Sequence, residues 1–101
     1  MACMTLLTAL KVLSNDKRLQ ILQWLKEPKK NFTSRICDIE KDGVCVGLIE
    51  EKSGLSQSTV SQYLMLLQQA GLITMERRGQ WTYCKRNEKA IKELINKLKE
   101  I

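Results

Sequence analysis

The chain has 101 residues, 44% apolar and 28% charged, enough for one domain around one core. Its 17 Lys and Arg against 11 Asp and Glu leave a net charge of +6, which suits a nucleic-acid partner but is equally met by a merely basic surface. Histidine is absent, which excludes imidazole-assisted serine or cysteine catalysis and every imidazole-ligated metal site.

No phosphate loop or paired carboxylates stand out, so the chain is not read as an enzyme. No apolar run approaches a membrane span. The opening residues lack the basic region, long apolar run and small-residue cleavage site of a secretory signal, and the expected location is the cytoplasm. The C-terminal helix mixes Lys with bulky apolars, as a membrane-surface helix would, but no membrane partner is expected. Cys3, Cys37, Cys45 and Cys84 form no C-x-x-C pair, and a disulfide framework is not expected in a cytoplasmic chain.

Taken in order, Met4 to Ser14 reads as a first helix, with Leu6, Leu7, Leu10 and Leu13 at helical spacing. Asn15 can cap a second helix, Asp16 to Lys26, which turns Leu19, Ile21, Leu22 and Leu25 inward until Pro28 stops it. The side on which Trp24 packs is left open. Lys29 to Asp42 is expected to be mostly irregular, pinned to the core by Phe32 and Ile36. Val44 to Lys52 reads as a third helix, burying Val44 and Leu48 with Cys45 or Ile49. Gly54 is placed to stop it, Leu55 plugs the turn, and Ser56 is placed to cap a fourth helix from about Gln57 to Ala70.

Two short helices around a Gly-containing turn make a helix-turn-helix. After Gly71 the period changes. Leu72 to Met75 and Trp81 to Cys84 flank Glu76-Arg77-Arg78-Gly79-Gln80, a hairpin signal. Asn87 can cap a last helix, Glu88 to Ile101, striped with Ile91, Leu94, Ile95, Leu98 and Ile101. The expected fold is mainly α, one winged helix-turn-helix domain over residues 1–101 in the order α-α-α-α-β-β-α. The helix-turn-helix covers about 44–70, the wing about 73–86, and the chain-end helices about 4–14 and 88–101.

The fourth helix carries the chemistry. Val60, Leu64 and Leu67 face inward, whereas Gln57, Ser58, Thr59, Ser61 and Gln62 form an outer face, and nothing from Leu55 to Met75 is charged. Solvated helix faces usually carry Lys and Glu. Neutral hydroxyls and amides suit base edges: Gln can pair bidentately with adenine, and a hydroxyl serves either base. Arg77, Arg78 and Gln80 around Gly79 could clamp phosphates or enter the minor groove; the same arginines could simply guard a strand edge. Trp81 and Tyr83 are expected to pack the wing rather than stack on bases. Such a winged helix could instead dock a protein partner through the same surface.

The run GLSQSTVSQYLMLLQQAGLI followed by RRGQWTYCKRN resembles the recognition helix and wing of the ArsR/SmtB family of bacterial repressors. The early LKVLSNDKRLQILQWLK, with Asn15, Arg18, Leu19, Ile21 and Leu22, is similar to that family's opening helices. The resemblance spans most of the chain outside Pro28 to Asp42, a connection longer than the family's usual one.

The resemblance implies a DNA-binding repressor acting on a near-palindromic double-stranded operator. The implied DNA contacts are Ser56, Gln57, Ser58, Thr59, Ser61, Gln62, Tyr63, Arg77, Arg78 and Gln80. It also implies a homodimer through Leu6, Leu10, Leu13, Ile91, Leu94, Ile95 and Leu98. Tyr63 stands where many members carry His. Arsenic-sensing members carry a Cys-Val-Cys pair on the third helix, of which only Cys45 remains in Val44-Cys45-Val46-Gly47. Zinc-sensing members use a His that this chain lacks. Metal sensing is therefore not implied, and no cofactor is expected. Two alternatives for Cys45 are a soft ion held as thiolate with Cys3 or Cys37, and oxidation of such a pair.

Overall fold

The computed structural model describes residues 5–33 and 38–101. Seven helical segments and three strands follow one another among them: α1 (Leu6–Leu13), α2 (Asp16–Lys26), α3 (Pro28–Asn31), α4 (Ile39–Asp42), β1 (Val44–Cys45), α5 (Val46–Ser53), α6 (Gln57–Gln69), β2 (Ile73–Arg78), β3 (Trp81–Arg86) and α7 (Glu88–Lys99). The helix-turn-helix is α5 and α6, the wing is β2 and β3, and α1 and α7 lie at the chain ends.

Caps set the helix starts. The Asn15 side chain accepts from the Lys17 and Arg18 amides, the Ser56 hydroxyl from the Thr59 amide, and Asn87 from the Ala90 amide. Each satisfies first-turn N–H groups that the helix leaves without a partner. Thr5 caps α1 in the same way. Gly54 adopts a left-handed φ of 69° and donates to the Glu50 carbonyl at 3.0 Å, ending α5 and opening the turn into α6.

One core joins these elements. Ile21, Leu22 and Leu25 of α2, Ile49 of α5, and Val60, Leu64 and Leu67 of α6 are all buried, with Leu72, Ile73 and Cys84 from the wing's base. Phe32 and Ile39 close it from the segment between α2 and β1. Trp24 is half-buried, edge-on to Phe32 at 6.2 Å between ring centres, and Lys52 lies 5.2 Å over its ring.

Several expectations change, among them Leu19 of α2, which is 40% exposed rather than turned inward. Lys29 to Asp42 is not mostly irregular: it contains two one-turn helices, the second capped by the Asp38 carboxylate, which accepts from the Glu40 and Lys41 amides. Pro28 does not merely stop α2; it occupies the first turn of α3, where its missing N–H is harmless. Ile36 lies outside the described residues; Phe32, as expected, and Ile39 are buried in the core. Finally, Val44 and Cys45 are strand, not helix.

These two residues pair antiparallel with Cys84 and Tyr83, making a three-stranded sheet in the order β1-β3-β2. Val44 is buried as expected, but Ile49 rather than Leu48 is the fully buried position of α5.

Gly43 makes this docking feasible. Its φ is 97°, and a Cβ there would lie 2.7 Å from the Cys84 carbonyl oxygen. No side chain fits between the backbone and β3. Gly43→Ala should therefore destabilise the domain by roughly 2 kcal/mol or more, combining left-handed strain with a backbone clash. Gly54→Ala, where nothing lies within 4 Å, should lose only about 1 kcal/mol. Urea unfolding of the two variants measures the difference.

Candidate nucleic-acid interface

α6 is amphipathic, and its inward stripe fixes which residues face out. Val60, Leu64 and Leu67 are at most 1% exposed, which leaves Gln57, Ser58, Ser61 and Gln62 open to solvent. Gln57 and Ser61, one turn apart, line a groove of about 480 Å³ between α6 and the wing. Arg77 and Gln80 line the same groove from the wing side. Two residues that sequence reasoning did not place there join them: Met65, one further turn along the Gln57–Ser61 stripe, and Trp81. Met65 is 52% exposed and Trp81 38%, whereas Tyr83 is buried. The i, i+4, i+8 spacing from Gln57 was the available signal for Met65.

The remaining candidates are placed differently. Ser56 is engaged locally, its hydroxyl 2.8 Å from that of Thr59 besides capping the helix. Thr59 is half-buried. Tyr63 is half-buried against the core, with the Arg18 guanidinium 5.1 Å over its ring, and Arg18 Nε in turn donates to the Val12 carbonyl at 2.6 Å. That stack joins α1, α2 and α6.

The wing's two arginines part company. Successive strand residues point to opposite faces. Arg77 shares the groove with α6, and its Nε donates to the Gly79 carbonyl at 3.1 Å. Arg78 lies over the Tyr83 ring at 5.6 Å and is held by two carboxylates. Its Nη1 donates to Asp42 Oδ1 at 2.7 Å, its Nε to Glu76 Oε1 at 3.1 Å and its Nη2 to Glu76 Oε2 at 3.2 Å. The guanidinium holds both the Asp42 and the Glu76 carboxyl below the usual range, chiefly by hydrogen bonding, and its own pKa is raised in return. The cluster therefore stays fully ionised at neutral pH.

The expected chain-end residues also divide. Leu94 is 5% exposed and belongs to the core of the single chain, and Leu6, Leu13 and Ile91 are partly buried against that core. Leu10, Ile95 and Leu98 are open to solvent, as are Leu7 and Ile101, which were not among the candidates.

Among the described residues no three His, Cys, Asp or Glu side chains group to hold a metal ion. Cys3 and Cys37, the candidate partners of Cys45, lie outside the described residues. Cys45 itself is half-buried at the groove. Cys84 is fully buried, and burial, with Cys45 nearby, pushes its thiol up to about 12, so it is a protonated packing group.

Comparison with known proteins gives relatives of one kind. The helix-turn-helix transcriptional regulator YbzH of Bacillus subtilis (strain 168) is 53% identical over 90 residues, covering 88% of this chain and 90% of that protein. ArsR2 of Halobacterium salinarum, which carries the name of an arsenical resistance operon repressor, is 39% identical over 81% of this chain and 59% of its own length. Among solved structures, HlyU from Vibrio cholerae N16961 superposes with a TM-score of 0.62 at 29% identity, over 91% of this chain and 88% of that one. No family model matches the chain.

If Ser56 acts chiefly as the α6 cap, Ser56→Ala should lower stability by about 1 kcal/mol, while Ser56→Gly should lower it by only a few tenths. Denaturant unfolding of both variants separates this capping role from a purely surface one.

Proposed function

The chain belongs to the ArsR/SmtB family of winged helix-turn-helix, DNA-binding transcriptional regulators, and from that premise we propose that it acts in the cytoplasm as a homodimeric repressor whose α6 reads base edges in the major groove. The observation that carries this reading is the shared groove. It brings two neutral readers, Gln57 and Ser61, to face a guanidinium, Arg77, across one opening. Ser58 and Gln62 lie on the adjacent exposed stripe of the same helix. Amide and hydroxyl groups supply sequence choice without net charge, and Arg77 supplies salt-dependent attraction to phosphate.

A homodimer is supported by apolar side chains left open on α1 and α7. Leu7 is 63% exposed, Leu10 40% and Ile95 46%, on helices that meet within the chain. Burying them against a second copy would remove that apolar surface from water. Two α6 helices would then engage successive major grooves ~34–36 Å apart, which calls for a near-palindromic operator. An effector that alters this spacing would weaken binding.

Two experiments test the reading. Gln57→Ala combined with Ser58→Ala should weaken binding to an operator selected from a random duplex pool, by about 1–3 kcal/mol for each good side chain–base pairing removed. Binding to a mixed-sequence duplex should stay nearly constant. An equal fall on both DNAs would remove α6 from base reading. Separately, Ile95→Glu with Leu98→Glu alters side chains already exposed in the single chain, so the fold should survive. Sedimentation equilibrium should then give a monomer where the unaltered protein gives a dimer.

A further inference from the structure

Arg78 is the wing's second cation, yet each of its three nitrogens already donates to a carboxylate. Three of its N–H groups are bound by Asp42 and Glu76, and one face of the guanidinium lies over Tyr83. Two carboxylates against one guanidinium leave the cluster with a charge of about −1 on a hairpin that approaches a polyanion.

Glu76 is a neighbour on the same strand, but Asp42 comes from 36 residues away. Its placement is fixed on every side. It ends α4, its second oxygen accepts the Asp38 amide at 3.1 Å, and the next residue is the Gly43 that lets the chain lie flat against β3. Lys85 of β3 donates to the Lys41 carbonyl beside it. The segment between α2 and β1 thus delivers one carboxylate to one wing arginine.

We infer that Asp42 masks Arg78 from the DNA backbone, so that the segment before β1 limits the wing's grip on phosphate and leaves Arg77 as the arginine that makes it. This rests on the reading of the wing as a DNA contact. The unmasked state needs rotation of the Arg78 side chain, which is 46% exposed, away from its two bonds to Glu76 on the same strand.

The test is a salt titration of binding to a mixed-sequence DNA duplex, since each phosphate contact adds about 0.9 to the slope of log K against log salt. Asp42→Asn should steepen the slope by about that amount and tighten binding roughly five- to tenfold near ~0.1 M salt. Arg78→Ala in the unaltered background should leave the slope unchanged, and Asp42→Asn combined with Arg78→Ala should return to the original slope. Glu40→Gln makes the same charge change on α4 without touching Arg78, and should not steepen the slope.

A gain that persists in the double variant, or that Glu40→Gln reproduces, would make the effect one of bulk charge and overturn the masking. A shallower slope for Arg78→Ala alone would show Arg78 already on phosphate and would equally overturn it; that measurement needs no Asp42 variant to fold. Arg77→Ala should flatten the slope by about 0.9. If it does so while Asp42→Asn changes nothing, masking alone fails; if Arg77→Ala changes nothing, the wing reading fails and takes the masking with it.

Discussion

Everything exposed on α6 is exposed because Val60, Leu64 and Leu67 are not. Burying each contributes about 1.5–3 kcal/mol, and together they fix the rotation of the helix about its axis. A turn of one residue, about 100°, would bring amides into the core and leucines into the groove. The neutral outer face is therefore held by the core. The cap at Ser56 and the left-handed Gly54 fix where along its axis the helix begins. Tyr63 strengthens this from the middle of the helix, where the stacked Arg18 connects α6 to both opening helices.

Local chemistry made much of this legible in advance. Asn15, Ser56 and Asn87 could be assigned as caps because a cap acts on amides two or three residues away. The groove face of α6 followed from a period of 3.6 residues. What escaped depends on distant partners. Val44 and Cys45 have no local reason to be strand; they become one only because Cys84 and Tyr83, far along the chain, offer an edge. α3 and α4 are too short to show periodicity. Arg77 and Arg78 look equivalent side by side in the chain, and only the position of Asp42 tells them apart.

The segment before β1 is accordingly part of the wing's construction. A two-stranded hairpin is marginal in water. Here its inner strand, β3, gains a second neighbour in β1, and the chain leading into β1 is joined to the wing by an ion pair and a lysine–carbonyl bond. The outer strand, β2, remains an edge, with Thr74 and residues Glu76 to Arg78 exposed along it. Its charges discourage pairing with a foreign strand.

The opposite faces of Arg77 and Arg78 make the hairpin more sensitive to length than to substitution. The loop at Gly79 and Gln80 sets the register in which Arg78 lies opposite Trp81. Removing one residue from β2 would exchange the faces of every residue beyond it, bringing a guanidinium that now meets carboxylates round to the groove and sending the other away. Chemical composition would hardly change, yet the electrical polarity of the two sides of the wing would reverse. Variation among related chains in this stretch is therefore better compared by strand parity than by residue identity.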